Sequence, residues 1–107
     1  MKTKLFKGTD FYDSEFIGFH YKPGVLRVLI ELWKTNRVIL EFKEVKSFSL
    51  DSFDANAIPY IYDNPENMPE EFKNLPCASE MKHFGLEDIS KKPFLYVLCS
   101  EIRLIDV

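Results

Sequence analysis

The chain has 107 residues with 46% hydrophobic and 29% charged side chains, which excludes a disordered, collagen-like or coiled-coil molecule and leaves room for one domain, 1–107, around one core. Ten Phe and five Tyr against four Gly require a core of large flat side chains and favour sheet. A net charge of −3 excludes a protein whose main task is gripping nucleic acid, since phosphate neutralisation needs clustered Lys and Arg, so no direct nucleic-acid partner is expected.

Residues 15–21 are mostly apolar and aromatic and predict a first strand, ended by Lys22-Pro23-Gly24, where proline fixes φ and glycine can take φ > 0. Residues 25–33 alternate, with Leu26, Val28, Ile30 and Leu32 on one side and Arg27 and Glu31 on the other, at the period of a pleated strand. A second hairpin loop at 34–36 leads into 37–43, where Val38, Leu40 and Phe42 share a face opposite Ile39. These three segments predict a meander. Val45 and Phe48 are spaced too irregularly to choose between a short strand and a bend over 45–50.

Residues 57–62 predict a further strand, and Pro59 within it, unable to donate to a ladder, argues for an edge position or a bulge. Residues 63–76 hold Pro65, Pro69 and Pro76 with Asn64, Asn67 and Asn74 and predict a long loop. Residues 79–86 predict a strand, and 94–100 with 101–107 a closing hairpin. The sum is an all-β, mainly antiparallel β-sandwich or strongly curved sheet of six to eight short strands, with one short helix allowed within 52–76.

Little in the chain carries chemistry. His20 and His83 stand in unrelated surroundings and read as hydrogen-bonded strand or loop histidines. A Cys77–His83 nucleophilic pair lacks any nucleophile turn around Cys77, and isolated glycines give no phosphate-cradling loop. Glu70-Glu71 and Glu87-Asp88 read as solvated faces, and Asp51 to Asn56 imitates a calcium loop without its glycine or closing glutamate. Trp33 reads as a core or rim aromatic. No catalytic group, metal or cofactor is expected. Cys77 and Cys99, without a second pair, read as two free thiols in a reducing compartment. With no apolar signal segment after the basic start and no run approaching a membrane span, a cytoplasmic protein without a membrane partner is expected.

Charge placement is more telling. Residues 47–72 contain Asp51, Asp54, Asp63, Glu66, Glu70 and Glu71 and no Lys, Arg or His, while 1–46 carry nine basic against six acidic residues and 73–107 carry five of each. Phe53, Tyr60, Tyr62, Met68 and Phe72 are interleaved with those acids. Large side chains anchor protein interfaces and acids steer a basic partner. The expected partner surface is therefore Asp51, Asp54, Tyr60, Tyr62, Asp63, Glu66, Glu70 and Glu71.

Phe11-Tyr12-Asp13-Ser14 before the first hairpin, and Phe42-Lys-Glu-Val45-Lys-Ser-Phe48 after the meander, resemble elements of the small immunity proteins of bacterial polymorphic-toxin and contact-dependent growth-inhibition systems. The likeness covers about residues 11–50. It implies a non-enzymatic cytoplasmic protein that binds one cognate toxin domain, often a nuclease, and neutralises it by covering a basic active-site surface. The rival expectation is a small-ligand or lipid-binding β-domain with an aromatic-lined cavity. An enzyme using Cys77 or His83 is a third.

Overall fold

The structure, a computed structural model, describes residues 2–33, 36–51, 56–62, 81–88 and 93–107. Among these it contains nine strands and no helix: β1 Lys2–Lys4, β2 Glu15–Lys22, β3 Val25–Glu31, β4 Arg37–Lys43, β5 Ser47–Leu50, β6 Ile58–Tyr62, β7 Lys82–Glu87, β8 Pro93–Cys99 and β9 Glu101–Asp106. All pairings are antiparallel. They form a five-stranded sheet in the order β1-β6-β7-β8-β5 and a four-stranded sheet in the order β2-β3-β4-β9, neither closed into a barrel. The all-β expectation holds, with β1 added to the anticipated strands. Of the helix allowed within 52–76, residues 58–62 are strand and 52–55 and 63–76 lie outside the described residues.

The meander forms as its alternation demands. Leu26, Val28 and Ile30 of β3 and Val38, Leu40 and Phe42 of β4 are all buried on one face, while Arg27 and Leu29 point the other way. Gly24 takes φ +86° in the turn after Pro23, the conformation an L side chain would resist. The inner faces meet in one core, where Phe42 packs at 6.1 Å from Phe84 and Phe16 meets Phe94 edge-on at 5.8 Å.

Residues 94–107 do not make the expected hairpin. β8 stays in the five-stranded sheet and β9 joins the four-stranded one, so Ser100 is a corner between sheets. β4 and β5 turn the same corner alongside. Lys43 pairs with Glu101 on one side of it and Ser47 with Leu98 on the other, so that 44–46 oppose only 99–100. This two-against-three mismatch is a bulge that bends a continuous two-stranded ribbon from one sheet into the other. Glu44 carries the strain at φ 54°, Lys46 N–H donates to the Leu98 carbonyl, and Ser100 N–H donates to that of Lys43. The Phe42, Val45, Phe48 spacing follows from it: strict alternation fails where the ribbon bends, and all three turn toward the core.

β6 is likewise not an edge strand. It lies between β1 and β7, with Pro59 opposite Leu86. The Pro59 carbonyl accepts from Leu5 N–H just past the end of β1. A strand residue aims its N–H and C=O to the same side, so the donor that proline lacks faces the frayed end of a three-residue strand, where a ladder bond is cheapest to lose.

The Phe11-Tyr-Asp-Ser14 element has a structural role. Phe11 is fully buried, and Ser14 accepts twice from the entry of β6: Asn56 N–H to its carbonyl and Ala57 N–H to its Oγ at 2.8 Å. Asp13, at φ 58°, donates its N–H to the Asn56 side chain.

Candidate functional site

The outer face of the five-stranded sheet holds the two tyrosines expected at the partner surface, and it is built around a glycine. The register places Tyr60 opposite Gly85 and Gly85 opposite Tyr96, with Tyr62 opposite His83 one row along. A Cβ on Gly85 would lie 2.7 Å from the Tyr62 ring and its hydroxyl, so the Tyr62 side chain lies flat over the glycine. From there its hydroxyl donates to Glu87 Oε2 at 2.7 Å. Lys2 reaches the other oxygen of Glu87 at 2.5 Å, passing over the Tyr60 ring at 4.7 Å. Tyr62 stacks on Tyr96 at 5.4 Å with the rings 15° from parallel, and the Tyr96 hydroxyl lies 3.0 Å from His83 Nδ1.

This network is internal. Glu87 is 1% exposed, which corrects its assignment to a solvated face: in the interior its two carboxylate oxygens are met by the Lys2 ammonium and the Tyr62 phenol. Burial, then the bond to Glu87, pushes the Tyr62 hydroxyl far above the ordinary tyrosine range, and burial does the same to Tyr96, so both remain protonated. Tyr60 is shifted upward as well, first by burial and then by Glu87. Cys99, a buried free thiol in the core, is pushed up to about 12 by burial and carries no thiolate at neutral pH.

Of the residues expected at a partner surface, Asp51 is exposed just past β5, Tyr60 is half-buried and Tyr62 is buried. β5 and β6 are separated by β7 and β8, roughly 14 Å at the usual strand spacing, so Asp51 and Tyr60 stand near opposite edges of one sheet. Asp54, Asp63, Glu66, Glu70 and Glu71 lie outside the described residues, as does Cys77. Trp33 is a rim residue, 64% exposed. Lys2, Gly85, Glu87 and Tyr96 escape sequence reasoning because their partners are set by strand order. A glycine inside an otherwise bulky strand was the one available signal.

The outer face of the four-stranded sheet carries a second charged group. Glu41 of β4 accepts from Arg27 Nε of β3 at 2.8 Å and from Arg103 Nε of β9 at 2.9 Å, with Lys43 at 3.9 Å. Glu41 is only 2% exposed although it points out of the sandwich, because the two arginine side chains lie across it. The Arg27 bond, then the charges of both arginines, hold its carboxyl below the usual carboxylate range against the opposing effect of burial. Water remains close beyond those half-exposed arginines, so the pairs are screened.

Open hollows lie beside these groups. One of about 670 Å³ sits near Trp33, Arg37 and Asp106 at one end of the sandwich, and two shallower ones flank Arg27. Among the described residues no group of three or more His, Cys, Asp or Glu could hold a metal ion, and no helix is long and apolar enough to cross a membrane. No protein-family model matches the chain, and comparison with curated proteins and with solved structures gave no match.

Proposed function

We propose that this chain works by docking: it is an immunity-type protein that binds a toxin domain with a basic surface, a nuclease first of all, and neutralises it by covering the charged active-site groove. The observation that carries the proposal is the run of six carboxylates, with no basic residue, over 47–72. A groove built to hold phosphates already concentrates positive potential, and an acidic chain exploits it in both encounter rate and specificity. Asp51 is exposed at the start of this segment and Tyr60 presents part of its ring. Tyr62 is buried with its hydroxyl committed to Glu87, so it is not assigned a partner contact. The contacts then fall to Asp51, Asp54, Tyr60, Asp63, Glu66, Glu70 and Glu71.

The test is to search the adjacent reading frame for a large protein with a basic C-terminal domain and to co-express that domain with this chain. Wild type should co-purify with that domain and restore growth. The double reversal Asp63→Lys, Glu66→Lys should weaken binding by at least ten-fold, with a shallower dependence on salt. Undiminished affinity of the double variant would remove the acidic segment from the interface.

A further inference from the structure

We infer that the outer face of the four-stranded sheet is a binding site for a small amphipathic carboxylate, an aliphatic acid whose tail lies along Gly18, Leu29 and Ile39 and whose head meets Arg27. It stands apart from the acidic segment and does not depend on the docking proposal.

Strand register lays two parallel rows across this face. One is Gly18, Leu29, Ile39 and Ile105, apolar throughout; the next is His20, Arg27, Glu41 and Arg103. Adjacent rows on one face of a sheet are two residues apart, roughly 7 Å, and four strands make each row roughly 14 Å long. The face is therefore an apolar strip bordered by a charged one.

Gly18 turns the strip into a depression. The β2–β3 register shifts between Phe16 and Gly18, and a Cβ at Gly18 would touch nothing within 4 Å, so the space beside Leu29 and Ile39 is unfilled. The resulting hollow is about 360 Å³, within the range of small-ligand sites, and Gly18, His20, Arg27, Leu29 and Ile39 line it. Arg27 also lines the neighbouring hollow of about 430 Å³, which Lys22, Lys43 and Arg103 surround with Glu41 and Glu44. One guanidinium thus borders both an apolar floor and a basic wall.

Charge selects the occupant. Glu41 neutralises one of its two arginines and leaves a net positive charge in the pair, while holding both guanidinium groups through Nε. About half of each arginine side chain stays exposed. An arginine already fixed by a buried carboxylate loses less freedom on meeting a second anion than a free one does. A neutral apolar molecule would leave that charge unmet, and a bare anion would leave the apolar floor wet.

The test follows backbone amide shifts by NMR during titration of the whole chain with octanoate, with octan-1-ol, with inorganic phosphate and with anionic phospholipid vesicles. Octanoate should give saturable shifts at Gly18, His20, Leu29 and Ile39 and bind more tightly than octan-1-ol, with no saturable response there to phosphate. Arg27→Gln should weaken octanoate about ten-fold, the loss of one charge-assisted contact. Gly18→Leu, which fills the hollow and suits a strand, should abolish binding while preserving the melting transition, so it keeps the test decisive if Arg27→Gln fails to fold. The inference is overturned if octanoate gives no saturable shift, if phosphate or octan-1-ol matches it, if Gly18→Leu binds undiminished, or if only the vesicles bind.

Discussion

Gly85 is the position where one missing carbon decides a network. With no side chain there, Tyr62 crosses β7, reaches Glu87 and stacks on Tyr96. Gly85→Ala should therefore cost about 1–3 kcal/mol by forcing the ring aside, although alanine ordinarily improves a strand over glycine. Tyr62→Phe keeps the stack and removes only the hydroxyl, and should cost about 1–2 kcal/mol. Urea denaturation of both variants checks the pair, and a neutral Gly85→Ala would mean that the ring does not need the space.

Glu41 faces out of the sandwich yet is buried beneath two arginines, so it should contribute to the acid limb of stability. Its carboxyl is held below the usual carboxylate range by Arg27 first and Arg103 next. A depressed carboxylate stabilises the fold fully above its unfolded pKa and loses that contribution as pH falls through the folded value. Stability followed downward from pH 6 should thus begin to fall near pH 4.5, and Glu41→Gln should flatten the part of that fall due to this group. An unchanged acid profile in Glu41→Gln would show that the arginine pairs contribute nothing measurable.

At the scale of elements, the entry of β6 is held in part by a single serine side chain. Ser14 is buried, and its Oγ is the acceptor for Ala57 N–H at 2.8 Å. Ser14→Ala strands that amide without an acceptor, at a cost of about 1–3 kcal/mol. In hydrogen exchange, Ala57 should be protected in wild type and exchange much faster in Ser14→Ala, while Leu40 and Val97 in the strand centres change only with global stability. Equal protection of Ala57 in both proteins would contradict the assignment.

Strands β3 and β4 were legible because each buries one face and must alternate, and β2 as an apolar, aromatic run closed by the Pro23-Gly24 turn, although only Phe16 of it is buried. β5 and the last two strands were harder. Val45 and Phe48 broke the alternation because the ribbon bends there, and nothing local in Cys99-Ser100-Glu101 distinguishes a corner between sheets from a tight hairpin. Pro59 misled because the rule that confines proline to edges holds for the ladder bond, which here faces the end of β1. Glu87 and Lys2 were unreadable for a plainer reason: they are 85 positions apart, and only the order β1-β6-β7 brings them together.

At the scale of the whole molecule, charge is unevenly divided between one described sheet face and one segment of the sequence. The four-stranded sheet turns outward a face where arginines and lysines surround a single buried glutamate. All six charged residues of the segment 47–72, which includes β5 and β6 of the other sheet, are acidic. A net charge of −3 hides this division. The proposed docking requires a basic partner to approach the acidic segment, while the Tyr62–Glu87–Lys2 network holds β1, β6 and β7 together.

The most direct measurement is the affinity of this chain for the proposed basic toxin domain, sought in the reading frame adjacent to its gene, taken across a range of salt concentrations for wild type and for the Asp63→Lys, Glu66→Lys variant. The account predicts tight wild-type binding that weakens steeply with salt, a variant weaker by at least ten-fold with a flatter salt dependence, and loss of toxin activity in the wild-type complex. Absent binding, or binding that ignores both salt and the two reversals, would contradict it.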